Sequence, residues 1–247
     1  GYNLKGSISQ LYKYARKQDR QVLMPSPGLG QQIFGLSLFK KKASTIFICE
    51  GPWDAMALWE ALRKCKYGDN GIEETANPRE SLLADANVIG VPGCKSFSES
   101  WIKLFKGKDV VLLYDNDHPV PHPKTGNLMP PAGWSGMKRV TGMLSKVAAS
   151  IKIIHWGNGD HNPELPSGFD IRDYLSNSDT PIHSTIESLL EMVGDVPEDW
   201  LEGGSTSSPE DKEVIECLPC DNYQDLVKAW RKALRWTGGL DRALACM

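Results

Sequence analysis

Thr45-Ile46-Phe47-Ile48-Cys49-Glu50-Gly51-Pro52-Trp53-Asp54 is the stretch whose reading decides the fold. Its first five residues are apolar after Thr45, the pattern of a strand covered on both faces. A Gly-Pro turn follows, and then Asp54–Lys64 carries Ala57, Leu58, Ala61 and Leu62 at helical spacing. A buried strand running straight into a helix is the opening half of a βαβ unit. Glu50 is thereby left at the strand's C-terminal end, where an open α/β sheet places its chemistry.

The same layout recurs downstream. Val110-Val111-Leu112-Leu113-Tyr114 is a second apolar run, closed by Asp115-Asn116-Asp117. Between the two, Asn87–Val91 reads as a short strand ended by Pro92-Gly93, and Ser98–Phe105 as a helix behind a Ser cap. Ser135–Ala149 carries the next helical pattern and Ile151–Trp156 the last strand. This alternation predicts an α/β fold, built from right-handed βαβ units with a parallel sheet flanked by helices. Glu50, Asp115 and Asp117 then come together at one sheet edge. Carboxylates so placed repel unless a divalent cation lies between them. Oxygen ligands with no His/Cys set favour Mg²⁺ or Mn²⁺ over zinc, and that combination points to phosphoryl transfer.

Composition narrows the rest. The 247 residues have room for one large domain, or one with appendages, and a hydrophobic content of 40% with eight tryptophans supports a packed core. A net charge of −3 leaves nucleic-acid contact to local patches. Six scattered cysteines fit reduced thiols rather than a disulfide framework. Neither a membrane span nor a signal peptide is legible, so the expectation is a cytoplasmic, intracellular protein without a membrane partner. Gly1 and the abrupt apolar end Leu240–Met247 read as the limits of an excised piece.

Along the chain, residues 1–42 form a basic, turn-rich N-terminal subdomain with β-like runs at Gln21–Met24 and Gln32–Phe39. Residues 43–193 are the central catalytic domain, and residues 194–213, rich in Gly, Ser, Pro, Glu and Asp, a linker. Residues 214–247 are a helical extension, read as the start of a further domain, with Tyr223, Leu226, Val227, Trp230, Ala233 and Leu234 on one helix face. The Pro- and Gly-rich segment His118–Pro131 excludes a regular helix or central strand, so it is expected as a surface loop beside Asp117, with His122 and Lys124 as candidate phosphate contacts.

Together, Glu50-Gly51-Pro52-Trp53-Asp54 and Asp115-Asn116-Asp117 resemble the acidic motif and the D-x-D motif of the TOPRIM domain, over roughly residues 43–176. That domain is shared by bacterial-type primases, topoisomerases, OLD-type nucleases and recombination proteins. Within it, the chain is most similar to primases of phage and plasmid type. Gln31–Leu36 resembles the segment joining their N-terminal subdomain to TOPRIM, and Val91–Ser96 their small glycine-containing loop. Ala132-Gly133 followed by Arg139 is similar to the helix start and basic residue after the D-x-D. Phe169-Asp170-Ile171-Arg172-Asp173-Tyr174-Leu175 resembles a D-x-x-D-Y-L element whose first Asp lies at the metal site. The chain departs from the family in the segment of about fourteen residues, His118–Pro131, and in having no zinc ribbon, which the isolated Cys217 and Cys220 do not replace.

The resemblance implies DNA-dependent synthesis of short RNA primers, in a primase or primase–helicase of a bacterial host or phage-infected cell. The partners would be single-stranded DNA template, ribonucleoside triphosphates and a replicative helicase domain in the same or a separate chain. Asp115, Asp117 and Asp170 would be metal ligands, and Glu50 a ligand or the proton acceptor for the nucleophile. Asp54, one helical turn past Glu50, would be an outer ligand. Lys95, Lys138 and Arg139 are candidates for nucleotide or backbone phosphates, and Lys13, Lys17, Lys40, Lys41 and Lys42 for a template groove. The alternative is an OLD-type nuclease hydrolysing DNA with the same acids. A non-enzymatic DNA-binding scaffold is the third reading.

Overall fold

The computed structural model describes residues 12–17, 20–25, 31–67, 86–177 and 179–201. The chain divides into two units, Leu38–Thr206 and the remainder. The remainder holds an antiparallel hairpin of β1 (Tyr12–Lys17) and β2 (Arg20–Pro25). The predicted run Gln21–Met24 lies within β2, whereas Gln32–Phe39 is not a strand. Gly35 turns there with φ of 90° and a single 3-10 turn, Leu36–Leu38, follows.

The larger unit opens with β3 (Thr45–Cys49), α1 (Pro52–Tyr67), β4 (Asn87–Gly90), a 3-10 helix (Glu99–Phe105) and β5 (Asp109–Leu113). The two-residue strands β6 (Val120–Pro121) and β7 (Leu128–Met129) come next, then α2 (Ala132–Leu144) and β8 (Ser150–Ile154). It closes with α3 (Ile171–Ser176), α4 (Ile182–Glu191), β9 (Val193–Asp195) and α5 (Glu198–Leu201). The sheet order is β4-β3-β5-β8-β9, parallel except for the edge strand β9. The fold is therefore α/β with a mixed, mostly parallel sheet, where an all-parallel one was expected. Residues 194–201, read from composition as linker, instead supply most of β9 and all of α5, with Trp200 buried.

Right-handed crossovers set the layers. The chain leaves β3 through α1 toward β4 on one side, and leaves β5 through α2 toward β8 on the other, which puts the two helices on opposite faces. Accordingly α1 packs against α3 and α4, and α2 against the 3-10 helix and α5. With both faces covered, β3 and β5 are buried from Ile46 to Cys49 and from Val110 to Leu113. Ala55, Leu58, Ala61, Leu62 and Cys65 form the inward stripe of α1. Among the described residues no helix is long and apolar enough to cross a membrane.

Candidate functional site

The connections across the sheet part between the parallel strands β3 and β5, because the chain goes from β3 to one side of the sheet and from β5 to the other. Such a switch point opens a crevice at the C-terminal edge, the place where α/β sheets bind ligands. Parallel register sets Cys49 beside Leu113, so the residues that follow, Glu50 and Tyr114-Asp115, flank that crevice. The backbone N–H of Asp115 donates to Glu50 Oε2 at 3.4 Å. Asp117 is turned toward α2, where its Oδ2 accepts from Gly133 N at 2.8 Å. Pro131, the residue before α2, offers no capping side chain. Asp117 thus supplies from a distance the acceptor that the helix's first turn lacks.

Glycines allow this close assembly. A Cβ on Gly133 would fall on the carbonyl oxygen of Asp115, and one on Gly136 would stand 2.8 Å from Cys94 Cβ and 2.9 Å from Tyr114 Cε2. A Cβ on Gly90 would lie 2.6 Å from the carbonyl of Gly51, so the turn after β3 rests directly on β4.

The electrostatics divide the predicted acids into two groups. Burial first, and then the Asp117 charge, push Glu50 up to about 7. Burial and then Glu50 hold Asp115 protonated well above the usual carboxylate range, with Asp54, Asp170 and Asp117 adding to the rise. Cys94, beside Glu50 in the loop after β4, is pushed to about 12 by burial and then by the Glu50 charge. No cationic side chain pairs with Glu50, Asp115 or Asp117 among the described residues.

Asp54 and Asp170 form the other group. Both are buried, at 5% and 4% exposure, and both are held by Arg172. Arg172 Nε donates to Asp54 Oδ1 at 2.9 Å and to Asp170 Oδ2 at 3.1 Å, and its Nη2 donates to Asp170 Oδ2 as well. Asp170 Oδ1 also accepts from Asp173 N at 2.9 Å, closing a capping box at the start of α3. Burial and then Asp170 push Asp54 up to about 6, with Arg172 opposing.

Asn116, between the two aspartates, ties these groups together. It is 1% exposed. Its Nδ2 donates to the carbonyls of Asn162 and Pro166, its Oδ1 accepts from Asn162 N at 2.7 Å, and its backbone bonds with Phe169 and Gly168 at 2.8 Å each. Trp156 Nε1 donates to Tyr114 O at 2.8 Å beside it. Sequence alone does not single out Asn116 as a latch or Arg172 as the partner of two acids. The readable signal for Arg172 is a cation in the first turn of a helix, a position its dipole disfavours.

The predicted basic residues are placed less uniformly. Arg139 donates to the carbonyls of Lys95 and Phe97, at 3.3 and 3.0 Å, and so braces the loop after β4. Lys95 is exposed in that loop, near Glu50's end of the sheet. Lys138 pairs with Asp199 of α5 at 2.8 Å. Lys40, Lys41 and Lys42 precede β3 and lie at the N-terminal edge of the sheet, the edge opposite the acids. Lys40 is fixed there by Asn87, which accepts from its N–H at 2.6 Å and donates to its carbonyl at 2.9 Å. Lys13 and Lys17 fall on β1, where only the backbone is described. Residues 214–247, including Cys217 and Cys220, lie outside the described residues.

An oxygen-only donor set of crowded carboxylates that raise one another's pKa suits a hard divalent cation. Among the described residues no three acidic, His or Cys side chains are already drawn up around one point. Their oxygens accept instead from Asp115 N, Gly133 N, Asp173 N and Arg172, so cation binding has to redirect them. No protein-family model matches the chain, and no curated protein matches it.

Proposed function

We propose that the unit Leu38–Thr206 is a TOPRIM-type catalytic unit, and that this chain makes short RNA primers on single-stranded DNA by metal-dependent nucleotidyl transfer. The observation that carries this reading is that Glu50, Asp115 and Asp117 all follow the C-terminal ends of β3 and β5 at the switch point of the sheet, where burial and neighbouring acids raise the first two. A bound Mg²⁺ or Mn²⁺ would activate the attacking 3′-hydroxyl and offset the charge developing on the phosphate oxygens.

In that reading Glu50, Asp115 and Asp117 hold the cation. Lys95, exposed at the same edge, contacts phosphate, while Arg139 acts by fixing the loop that carries it. The protein acts inside the cell with ribonucleoside triphosphates and a helicase domain.

The test incubates the full chain with single-stranded DNA, Mg²⁺ or Mn²⁺ and labelled ribonucleotides. New short RNA is expected. Shortened DNA without new RNA would assign the same acids to a nuclease, and no product of either kind would remove the enzymatic reading.

A further inference from the structure

Arg172 holds two acids that a second metal ion would need. Asp54 and Asp170 are the most buried carboxylates described, and one guanidinium bridges them with a 2.9 Å contact to Asp54 Oδ1 and two contacts to Asp170 Oδ2. Asp170's other oxygen is engaged by Asp173 N. Glu50, Asp115 and Asp117 have no such cation among the described residues. An arginine in the first turn of α3 opposes the helix dipole, and the attraction of the two acids offsets that small cost. A divalent ion approaching their end of the crevice would meet a like charge already seated.

We infer that Arg172 stands in place of a second cation, so that the centre takes one divalent ion, at Glu50, Asp115 and Asp117, and a guanidinium where a two-metal centre would hold its other ion. The inference rests on the metal-dependent reading above. It adds a property that reading lacks, a fixed stoichiometry. Arg172 also keeps a face for substrate: its side chain is 46% exposed, and its Nη1 makes no hydrogen bond among the described residues. An arginine so presented can pair with a phosphate group, one of the tasks a second metal ion performs.

The experiment is a Mn²⁺ titration of the full chain, read by calorimetry and by the electron paramagnetic resonance of free Mn²⁺. The wild type is expected to bind one Mn²⁺ tightly. Arg172→Gln frees Asp54 and Asp170 and is expected to bind two, the second at least about tenfold tighter than any second ion of the wild type, a difference of about 1.4 kcal/mol. Arg172→Lys keeps the charge and is expected to bind one. Because Arg172→Gln leaves two buried acids unpaired, it is expected to need Mn²⁺ for full stability, with a melting temperature that climbs steeply as the ion is added. Two equally tight ions in the wild type, or one in Arg172→Gln, would overturn the role of Arg172 and leave the metal centre standing. So would an Arg172→Gln chain still unfolded at millimolar Mn²⁺. No binding to the wild type at all would overturn the metal centre itself, and this inference with it.

Discussion

Asp115 and Asp117 sit two residues apart and respond to the fold in opposite ways. Asp115 is held protonated by burial and by four neighbouring acids, so folding above the ordinary carboxylate range has to take up a proton there, a cost that a neutral amide removes from the metal-free chain. Asp117 accepts the Gly133 N–H that starts α2, so removing it leaves a helix donor unmatched. We expect Asp115→Asn to raise the melting temperature of the metal-free protein. Asp117→Ala should lower stability by about 1 kcal/mol, a lost cap's typical cost. Both Asp115→Ala and Asp117→Ala should cut nucleotide incorporation by more than about 100-fold, beyond the loss typical of a group that only supports a metal ligand. Chemical denaturation and primer gels on the same preparations check these signs. Wild-type incorporation by either variant would remove the assignment. Both aspartates were legible in the sequence, since together they close the apolar run Val110–Tyr114. Asp117's capping role was not, because nothing in a linear string shows that Pro131 leaves a helix uncapped.

At the scale of elements, reading by periodicity succeeded where burial was two-sided and faltered at edges. β3 and β5 announce themselves as apolar runs, and α1 by its inward stripe. The antiparallel strand β9 is three residues long and holds a glycine and an aspartate, so it reads as linker until β8 is there to pair with it. The segment Glu99–Phe105 keeps its Ser98 cap but winds as a 3-10 helix, with Trp101 and Phe105 buried and Phe97 packed against both rings at 5.6 and 5.4 Å. α2 begins at Ala132, where the resemblance puts the helix start and ahead of the Ser135 that periodicity gives, because Gly133 and Gly136 in its first turns carry no apolar signal. Gly136→Ala places a methyl group against Cys94 and Tyr114 and should cost about 1–3 kcal/mol, measurable by urea denaturation. An unchanged midpoint would mean that the loop after β4 yields freely.

The insertion proves to be a small hairpin of β6 and β7, exposed at Val120 and Leu128. His122 does not reach outward for phosphate through Nδ1, which accepts from the N–H groups of Lys124 and Thr125 across the hairpin's own turn. The anchor, His118, bonds to Ser167 and to the carbonyl of Leu165, outside the exposed stretch. Replacing residues 119–130 with a short Gly-Ser link should therefore shift the melting temperature by only a few degrees. The hairpin is rooted at Asp117, so nucleotide KM should rise several-fold if it borders the entrance. An unchanged KM would make it surface decoration.

For the molecule as a whole, the crowded acids predict an unusual dependence of stability on pH. Glu50 at about 7 and Asp54 at about 6 lie above the ordinary carboxylate range, so between those limits the folded chain holds protons that the unfolded chain has released. The stability these groups contribute is fully present below about pH 4 and is lost as pH rises through 6 and 7. The metal-free protein should be less stable at pH 8 than at pH 5 by an amount on the order of 1–3 kcal/mol. Mg²⁺ should recover most of that difference at pH 8 and change little at pH 5. Calorimetric scans with EDTA or Mg²⁺ at both pH values decide it, and a metal-free melting temperature higher at pH 8 would refute the electrostatic account. At this scale the α/β class and the edge that carries the acids were readable from alternation alone. The separation of Lys40–Lys42 from the acids by the length of the sheet was not, since a basic run before a strand and an acid after it are near neighbours only in the string.

Asn116 has one more consequence, and it concerns how the protein ages. Asparagine loses its amide slowly in water, when the next residue's backbone nitrogen attacks the side-chain carbonyl and leaves an acid behind. Here the product would be a further acid, aspartate or isoaspartate, between Asp115 and Asp117, where an amide now donates to the carbonyls of Asn162 and Pro166. Attack requires the side chain to swing back toward the Asp117 nitrogen. Its two donors and its acceptor are all held by the segment that leads to Asp170. The latch that joins the two groups of acids thus also holds this side chain away from the nitrogen that would attack it.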